Sequence, residues 1–286
     1  MNLSTFSSEL IVKDGIYFAK NQPEISYPEN GNQMCYQLEE NSYWFNHRNK
    51  CIAAAFKKYA TQNILFDIGG GNGFVSKQLE NQGVDCVLIE PGVQGCLNAK
   101  QRQLKNSVCS TLEEANFISN AIPNIGVFDV VEHIENDNQF LKMIHNYLVP
   151  NGLVFITVPA YNTLWSNEDV EAGHYRRYTT KTINDKLINN GFEIIYSGYI
   201  FSVLTLPILL FRSLPSRLGF NKNADDLKKH QSQHTAKKGL VEKTLNLVWN
   251  KEVDYIKKGK KIKTGSSCFV IARKVKVLNI SKIKKA

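Results

Sequence analysis

Residues 64–73, Ile-Leu-Phe-Asp-Ile-Gly-Gly-Gly-Asn-Gly, decide the fold. An apolar run reaches Asp67 and breaks into glycines at 69, 70, 71 and 73, the pattern of a strand that turns tightly into a helix. Glycine takes positive φ without steric cost and, having no Cβ, lets the backbone reach van der Waals contact with a ligand. The first N–H groups of the following helix point at the same spot. A nucleotide-like ligand is therefore expected against Gly69, Gly71 and Gly73. The spacing from Asp67 is Asp-x-Gly-x-Gly-x-Gly, which differs from the Gly-x-Gly-x-x-Gly of dinucleotide sites. A second apolar run over 84–90 ends in Glu90, 17 residues beyond Gly73. An acid there can accept both hydroxyls of a ribose in a doubly wound sheet.

Working outward, strands are expected at 63–68, 85–90, 106–109, 124–129 and 152–158, with helices at 73–82, 93–104, 111–120 and 136–148. This alternation specifies a parallel, doubly wound α/β sheet. Pro150-Asn151-Gly152 marks a helix-to-strand turn. A helix over 180–190, closed by Asn190-Gly191, leads to a strand at 192–199, and 266–273 reads as a last strand. Residues 200–262 are then an insertion. Its apolar start, 200–211, is interrupted by Pro207 and is too short to span a bilayer. It reads first as a buried helix capping the site. The alternative is an interfacial segment, with Arg212, Arg217 and nearby lysines facing headgroups.

The 286 residues allow one sizeable core with an appendage. The net charge of +9 is unevenly divided: residues 221–286 carry 18 Lys/Arg against 5 Asp/Glu, net +13, leaving net −4 for residues 1–220. Such an end suits a solubilising face, a nucleic acid or an anionic membrane. No base-stacking aromatics accompany the lysines, which makes nucleic acid the weaker partner. Six cysteines without Cys-x-x-Cys spacing, and an N-terminus without a signal-peptide pattern, point to reduced thiols and a cytoplasmic setting, with membrane association left open.

Two further stretches carry chemistry. Phe128-Asp-Val-Val-Glu-His-Ile134 puts Asp129, Glu132 and His133 at the carboxyl end of the fourth strand of the core, where open α/β sheets bind ligands. Gly173-His-Tyr-Arg-Arg-Tyr178 follows the fifth and is expected on the same edge. Arg176 and Arg177 are planar forks suited to a carboxylate or phosphate. One is expected in the pocket and the other on an acid such as Glu171. Before the sheet, the aromatic and basic stretch 39–49 leads an apolar helix at 51–59. It reads as a lid over the site, and equally as packing of Tyr43, Trp44 and Phe45 onto the sheet.

The glycine turn, the Glu90 strand, Leu-x-Pro-x-Gly at 148–152 and Asp129-Val-Val-Glu132-His133 together resemble the class I S-adenosylmethionine-dependent methyltransferase family, in the group related to ubiquinone-pathway O-methyltransferases. The resemblance implies a Rossmann-like, doubly wound, seven-stranded, mostly parallel sheet, whose last strand inserts antiparallel beside the sixth. The expected organisation is an N-terminal helical cap (1–60), a cofactor-binding core (61–199), the insertion (200–262), the last strand (263–275) and a basic tail (276–286). S-adenosylmethionine is the implied cofactor, held by Asp67, Gly69, Gly71, Gly73, Glu90 and Asp129. His133, His174 and Arg176 are the implied catalytic residues. Related enzymes hold a divalent metal at Glu-x-x-Glu-His, with Asp129 here in place of the first Glu. This implies a metal set of Glu132, His133 and His174 with Mg2+, beside the readings of His133 as a substrate-facing base or as a structural hydrogen-bonding residue. The expected activity is O-methylation of a small, lipid-linked or glycan-linked metabolite. Peripheral membrane contact through 200–217 and the tail would accompany a lipid-linked acceptor. RNA 2′-O-methylation and a non-catalytic scaffold are the alternatives.

Overall fold

The computed structural model describes residues 3–7, 9–20, 29–219 and 240–275. The basic tail 276–286 and the lysines of 220–239 lie outside the described residues. Nine strands form one sheet: β1 (Ile11–Lys13), β2 (Ile16–Phe18), β3 (Ile64–Ile68), β4 (Asp85–Glu90), β5 (Ser107–Cys109), β6 (Ile122–Phe128), β7 (Leu148–Pro159), β8 (Phe192–Ile200) and β9 (Ser267–Lys274). Their order across the sheet is β1-β2-β5-β4-β3-β6-β7-β9-β8. Neighbours from β5 through β7 run parallel, and β9 lies antiparallel between β7 and β8. The seven strands β3 to β9 are thus the doubly wound, mostly parallel sheet expected from the sequence. Its order reverses at β3, which pairs with β4 on one side and β6 on the other. Such a reversal opens a crevice at the strands' carboxyl ends.

The cap expected over 1–60 is only partly helical. Asp14 (φ 51°) and Gly15 (φ 75°) make a two-residue turn between β1 and β2, the positive-φ pair that hairpins favour. β2 then pairs parallel with β5, extending the sheet to nine strands. The helices α1 (Glu29–Glu39) and α2 (Tyr43–Tyr59) follow. α2 begins eight residues before the apolar stretch at 51, because Ser42 caps it by accepting from the Phe45 N–H at 3.4 Å. The remaining helices among the described residues are α3 (Phe74–Glu80), α4 (Val93–Gln101), α5 (Asp137–Tyr147), α6 (Asn167–Glu171), α7 (Thr180–Asn189), α8 (Thr205–Ile208), α9 (Leu214–Arg217) and α10 (Leu240–Lys257).

The helix expected at 111–120 does not form. Thr111 starts a single turn, with the Ala115 N–H donating to the Thr111 carbonyl, but Asn116 and Asn120 take φ of 45° and 58°, outside helical space. β6 starts at Ile122, ahead of the expected 124. Pro123, which has no N–H to donate, sits at a register shift between Ile122 and Asn124.

Alternate strand residues feed two cores. Phe66, Ile68, Val87 and Ile89 pack on the face covered by α5 and α7, and Leu65, Cys86 and Phe155 on the face covered by α2 and α10. All six cysteines are thiols, and five of them are buried. Across the second face Glu252 of α10, 4% exposed, accepts hydrogen bonds from His47 Nε2 (2.8 Å), the Phe201 N–H (2.9 Å), the Ser202 N–H (2.7 Å) and the Ser202 hydroxyl. One carboxylate so joins α2, α10 and the turn after β8.

After that turn the chain continues through α8, a π-helical turn at Leu209–Ser213 and α9. This run covers one side of the cavity described below but is not buried as its apolarity suggested: Leu206, Leu210, Phe211 and Leu218 are exposed. Among the described residues no helix is long and apolar enough to cross a membrane.

Candidate active site

The chain leaves β3 through Gly69 (φ 65°), Gly70, Gly71 (φ 55°) and Gly73 (φ 70°) before α3. Three of these glycines serve packing. A Cβ at Gly69 would lie 2.8 Å from Val130, at Gly70 2.5 Å from Leu88 and 2.6 Å from the Asp67 carboxylate, and at Gly73 3.1 Å from Ala99. Gly71 differs: a Cβ there would meet only Asn32 Oδ1, at 3.8 Å. Its left-handed backbone faces a cradle that the described residues leave open.

Glu90, at the end of β4, accepts from the Gly71 N–H through Oε2 and from the Gly92 N–H through Oε1, each at 2.9 Å. Burial raises its pKa, opposed by these two amides and by the Asn32 side chain. Asp67, expected among the cofactor residues, is fully enclosed beneath the loop. Its Oδ2 accepts from the Ser76 hydroxyl at 2.7 Å, and burial pushes its carboxyl up to about 6. Asp67 therefore shapes the loop and does not reach the cleft.

A second group lies at the end of β6. Asp129 takes φ 57° and accepts from Arg48 Nη1 of α2 at 2.5 Å. The guanidinium lies 4.9 Å from the Trp44 ring centre and 5.2 Å from that of Phe45. The next turn brings Glu132 and His133 together, and the Tyr175 N–H donates to the Glu132 carbonyl at 2.8 Å, drawing the segment after α6 against it. Donor atoms of Glu132, His133 and His174 all fall within 4.8 Å of one another. Both carboxylate oxygens of Glu132 are buried without a hydrogen-bond partner among the described residues. Burial, with the Asp129 charge adding to it, holds the Glu132 carboxyl well above its usual range. Burial, and then His174, lower His133 to about 4, so its imidazole is neutral at physiological pH.

Asp169 fixes the geometry. It sits in a capping box with Ser166 at the start of α6, accepts from His174 Nδ1 at 2.8 Å, and takes Arg177 through two bonds of 2.7 and 3.0 Å. With Nδ1 so engaged, Nε2 is the His174 ring nitrogen left to meet a ligand. The arginine expectations are corrected here. Arg176, expected in the pocket, pairs with Asp137 at 2.9 Å and donates to the Glu135 carbonyl. Arg177 lines the cavity, and its acid is Asp169, not Glu171.

These groups line a cavity of about 480 Å3. Tyr43, Trp44 and Phe45 of α2 form one wall, and Pro207, Ile208 and Phe211 another; Asp129, Glu132, His133, His174 and Arg177 supply the polar lining. Sequence reading did not single out Arg48, Asn32, Asp169 or Glu252. For Asp169 a signal existed in Ser166-x-x-Asp169 at a helix start.

A family model described as a methyltransferase domain matches residues 42–197, more than half of the chain. The ubiquinone biosynthesis O-methyltransferase of Rickettsia canadensis is 30% identical over 100 residues, covering 32% of this chain and 41% of that protein. The chain thus spans less than half the length of this curated relative. Among solved structures, phosphoethanolamine N-methyltransferase 2 of Haemonchus contortus in complex with S-adenosyl-L-methionine aligns with a TM-score of 0.55 at 18% identity, over 88% of this chain and 59% of that one. The [4+2]-cyclase SpnF aligns with a TM-score of 0.54 at 16% identity, over 88% and 99%. At these identities the likeness concerns the fold alone.

Proposed function

The chain belongs to the methyltransferase-domain family, the class I S-adenosylmethionine-dependent enzymes, and from that premise we propose that it methylates a hydroxyl of a small or lipid-linked acceptor held in the cavity beside Glu132, His133 and His174. The open cradle at Gly71 and the Glu90 carboxylate fit the cofactor: the backbone admits close contact, and the acid can exchange its backbone donors for ribose hydroxyls. When bound, the cofactor supplies an electrophilic methyl on a sulfonium. The protein's part is to orient the acceptor, exclude water and take up the acceptor's proton.

The observation that carries the oxygen acceptor is the pairing of the His133 and His174 rings, at 4.7 Å between centres, in a cavity walled by aromatic and apolar side chains. An imidazole nitrogen there can accept the proton of a hydroxyl. An aromatic or otherwise unprotonated amine presents its lone pair without such a base, so it is the amine that sets the contrast. Calorimetric titration with S-adenosylmethionine, followed by radiolabelled methyl transfer to matched phenol, alcohol and amine acceptors, tests the reading. Hydroxyl acceptors should be labelled and amines not; labelling of amines alone would refute it.

The orphaned Glu132 carboxylate favours a second reading, in which a divalent cation is held by Glu132, His133 and His174. The residues fit such an ion, since Asp169 orients His174 as carboxylates orient metal-binding imidazoles. Two imidazoles and one carboxylate suit a first-row transition ion better than Mg2+, which prefers an all-oxygen shell. The ion would supply Lewis acidity toward the acceptor hydroxyl. Equilibrium dialysis with Mn2+, Zn2+ and Mg2+ should give binding that Glu132→Gln abolishes; equal uptake by parent and variant would remove this reading.

A further inference from the structure

The run from α8 to α9 has two faces that the acceptor cavity alone does not explain. Pro207, Ile208, Phe211 and Arg212 line the cavity. Leu206 (62% exposed), Leu210, Leu214 and Leu218 (72%) recur every fourth residue on the outside. A step of four residues is close to one turn both in the α-helical parts and in the π-helical turn at Leu209–Ser213, so the four leucines stay on one side of the run. Phe211 belongs to both: it lines the cavity and is also 72% exposed, so the cavity opens at this apolar face. Leucines and a phenylalanine this exposed on one short run make an unusual surface for a chain in water alone.

We propose that this face lies in the interfacial layer of a lipid bilayer carrying anionic headgroups, and that the acceptor enters the cavity from that bilayer past Phe211. The second half of the proposal rests on the reading of the cavity as the acceptor site. Three observations favour lipid over a second copy of the chain. The apolar face is continuous with the cavity mouth, which suits an amphiphile whose head enters while its tail stays outside. Residues 205–219 contain no acid; Arg212 is paired with Glu168 at 2.7 Å, and the charge that complements anionic headgroups comes from Arg217 and from the chain from 221 onward, net +13. The run is also too short to span, and its exposed leucines recur along one side, as on interfacial helices. Arg217, exposed at the end of α9, donates to the Asn162 and Thr163 carbonyls, tying the helix end to the body of the enzyme.

The test is flotation of the full-length protein, without cofactor, on vesicles of phosphatidylcholine with and without phosphatidylglycerol. The parent should float with the mixed vesicles, less so as salt rises. The variant Leu206→Ser/Leu210→Ser/Leu218→Ser should bind at least about tenfold more weakly while keeping the parent's melting temperature and S-adenosylmethionine affinity. None of these three leucines lines the cavity. Should the triple variant fold poorly, Leu218→Ser alone, at the end of α9, should still weaken flotation measurably. A parent that floats with neither vesicle overturns the proposal, as does a variant that floats like the parent. Concentration-dependent self-association of the parent in sedimentation velocity, lost in the variant, overturns it in favour of an interface between copies. Loss of cofactor binding by the parent itself would refute the methyl-transfer reading and leave the vesicle result standing.

Discussion

Replacing Glu252 with alanine tests how the cavity proposed for the acceptor is held in shape. The carboxylate is 4% exposed and accepts from His47, from the Phe201 and Ser202 N–H groups and from the Ser202 hydroxyl. Alanine leaves these donors in a dry site without an acceptor. Removing one member of such a buried charged arrangement costs about 3–5 kcal/mol, or roughly 10 °C in melting temperature for a chain of this size. Burial pushes the Glu252 carboxyl up, but the His47 and Ser202 bonds outweigh it and hold the group below the usual glutamate range. Its stabilisation is therefore complete above the unfolded glutamate pKa of about 4.3 and is lost as the pH falls through the lower folded value. The gap between parent and variant, followed by urea denaturation, should be full at neutral pH and shrink in acid. A second effect follows from position. Phe201 holds a left-handed φ of 61° and stacks on Trp44, rings 5.2 Å apart and 6° from parallel, and Trp44 walls the cavity. The KM for the acceptor should rise while cofactor affinity stays unchanged. A stability loss under about 1 kcal/mol, or a gap indifferent to pH, would refute this account of Glu252.

Glu90→Ala should remove measurable S-adenosylmethionine binding in calorimetry while the protein still melts cooperatively; unchanged affinity would misplace the cofactor site. Gly71→Val should weaken the same binding by at least about tenfold, because a β-branched residue strains the left-handed backbone and fills the open cradle, whereas Gly70→Ala should act on stability through the 2.5 Å approach to Leu88. His133→Ala should keep cofactor affinity and lower turnover by about 100-fold; turnover within twofold of the parent would exclude it as the proton acceptor. Asp169→Asn should destabilise the protein by roughly 2 kcal/mol at neutral pH. Burial opposes the Asp169 charge, but His174 and Arg177 hold its pKa at about 2, so the difference should vanish as the pH falls from about 4 toward 2.

The geometry of the glycine loop was legible in the sequence because backbone chemistry writes it locally: glycines needing positive φ and an acid closing the next strand stand within one βαβ unit. The placement of Gly71 beside Glu90, and of Glu132 and His133 near His174, was readable from type and spacing. Asp67 was readable as a residue and not as a role, since the same Asp-x-Gly pattern serves an acid facing the cleft and one enclosed beneath the loop against Ser76. Arg176 and Arg177 could not be told apart, because adjacent side chains diverge and only the docking of α6 decides which meets Asp169. Arg48 and Glu252 act across 81 and 205 residues, on Asp129 and His47 respectively, and no local pattern encodes contacts of that range. The missing helix at 111–120 shows the converse: two asparagines with left-handed backbone overruled an acceptable helical composition.

The hairpin of β1 and β2 changes what the sheet offers to other molecules. A doubly wound sheet ending at β5 would present the edge of a buried strand, Ser107–Cys109, with backbone donors and acceptors ready to recruit any extended chain. β2 occupies that edge, and the new border, β1, is three residues long, ends in Lys13 and is exposed throughout. The hairpin is pinned by Lys100, which donates to the Asp14 carbonyl at 2.6 Å. A border only three residues long, closed by a lysine, gives little purchase for edge-to-edge growth, so the hairpin shields the rim that lies across the sheet from the candidate site.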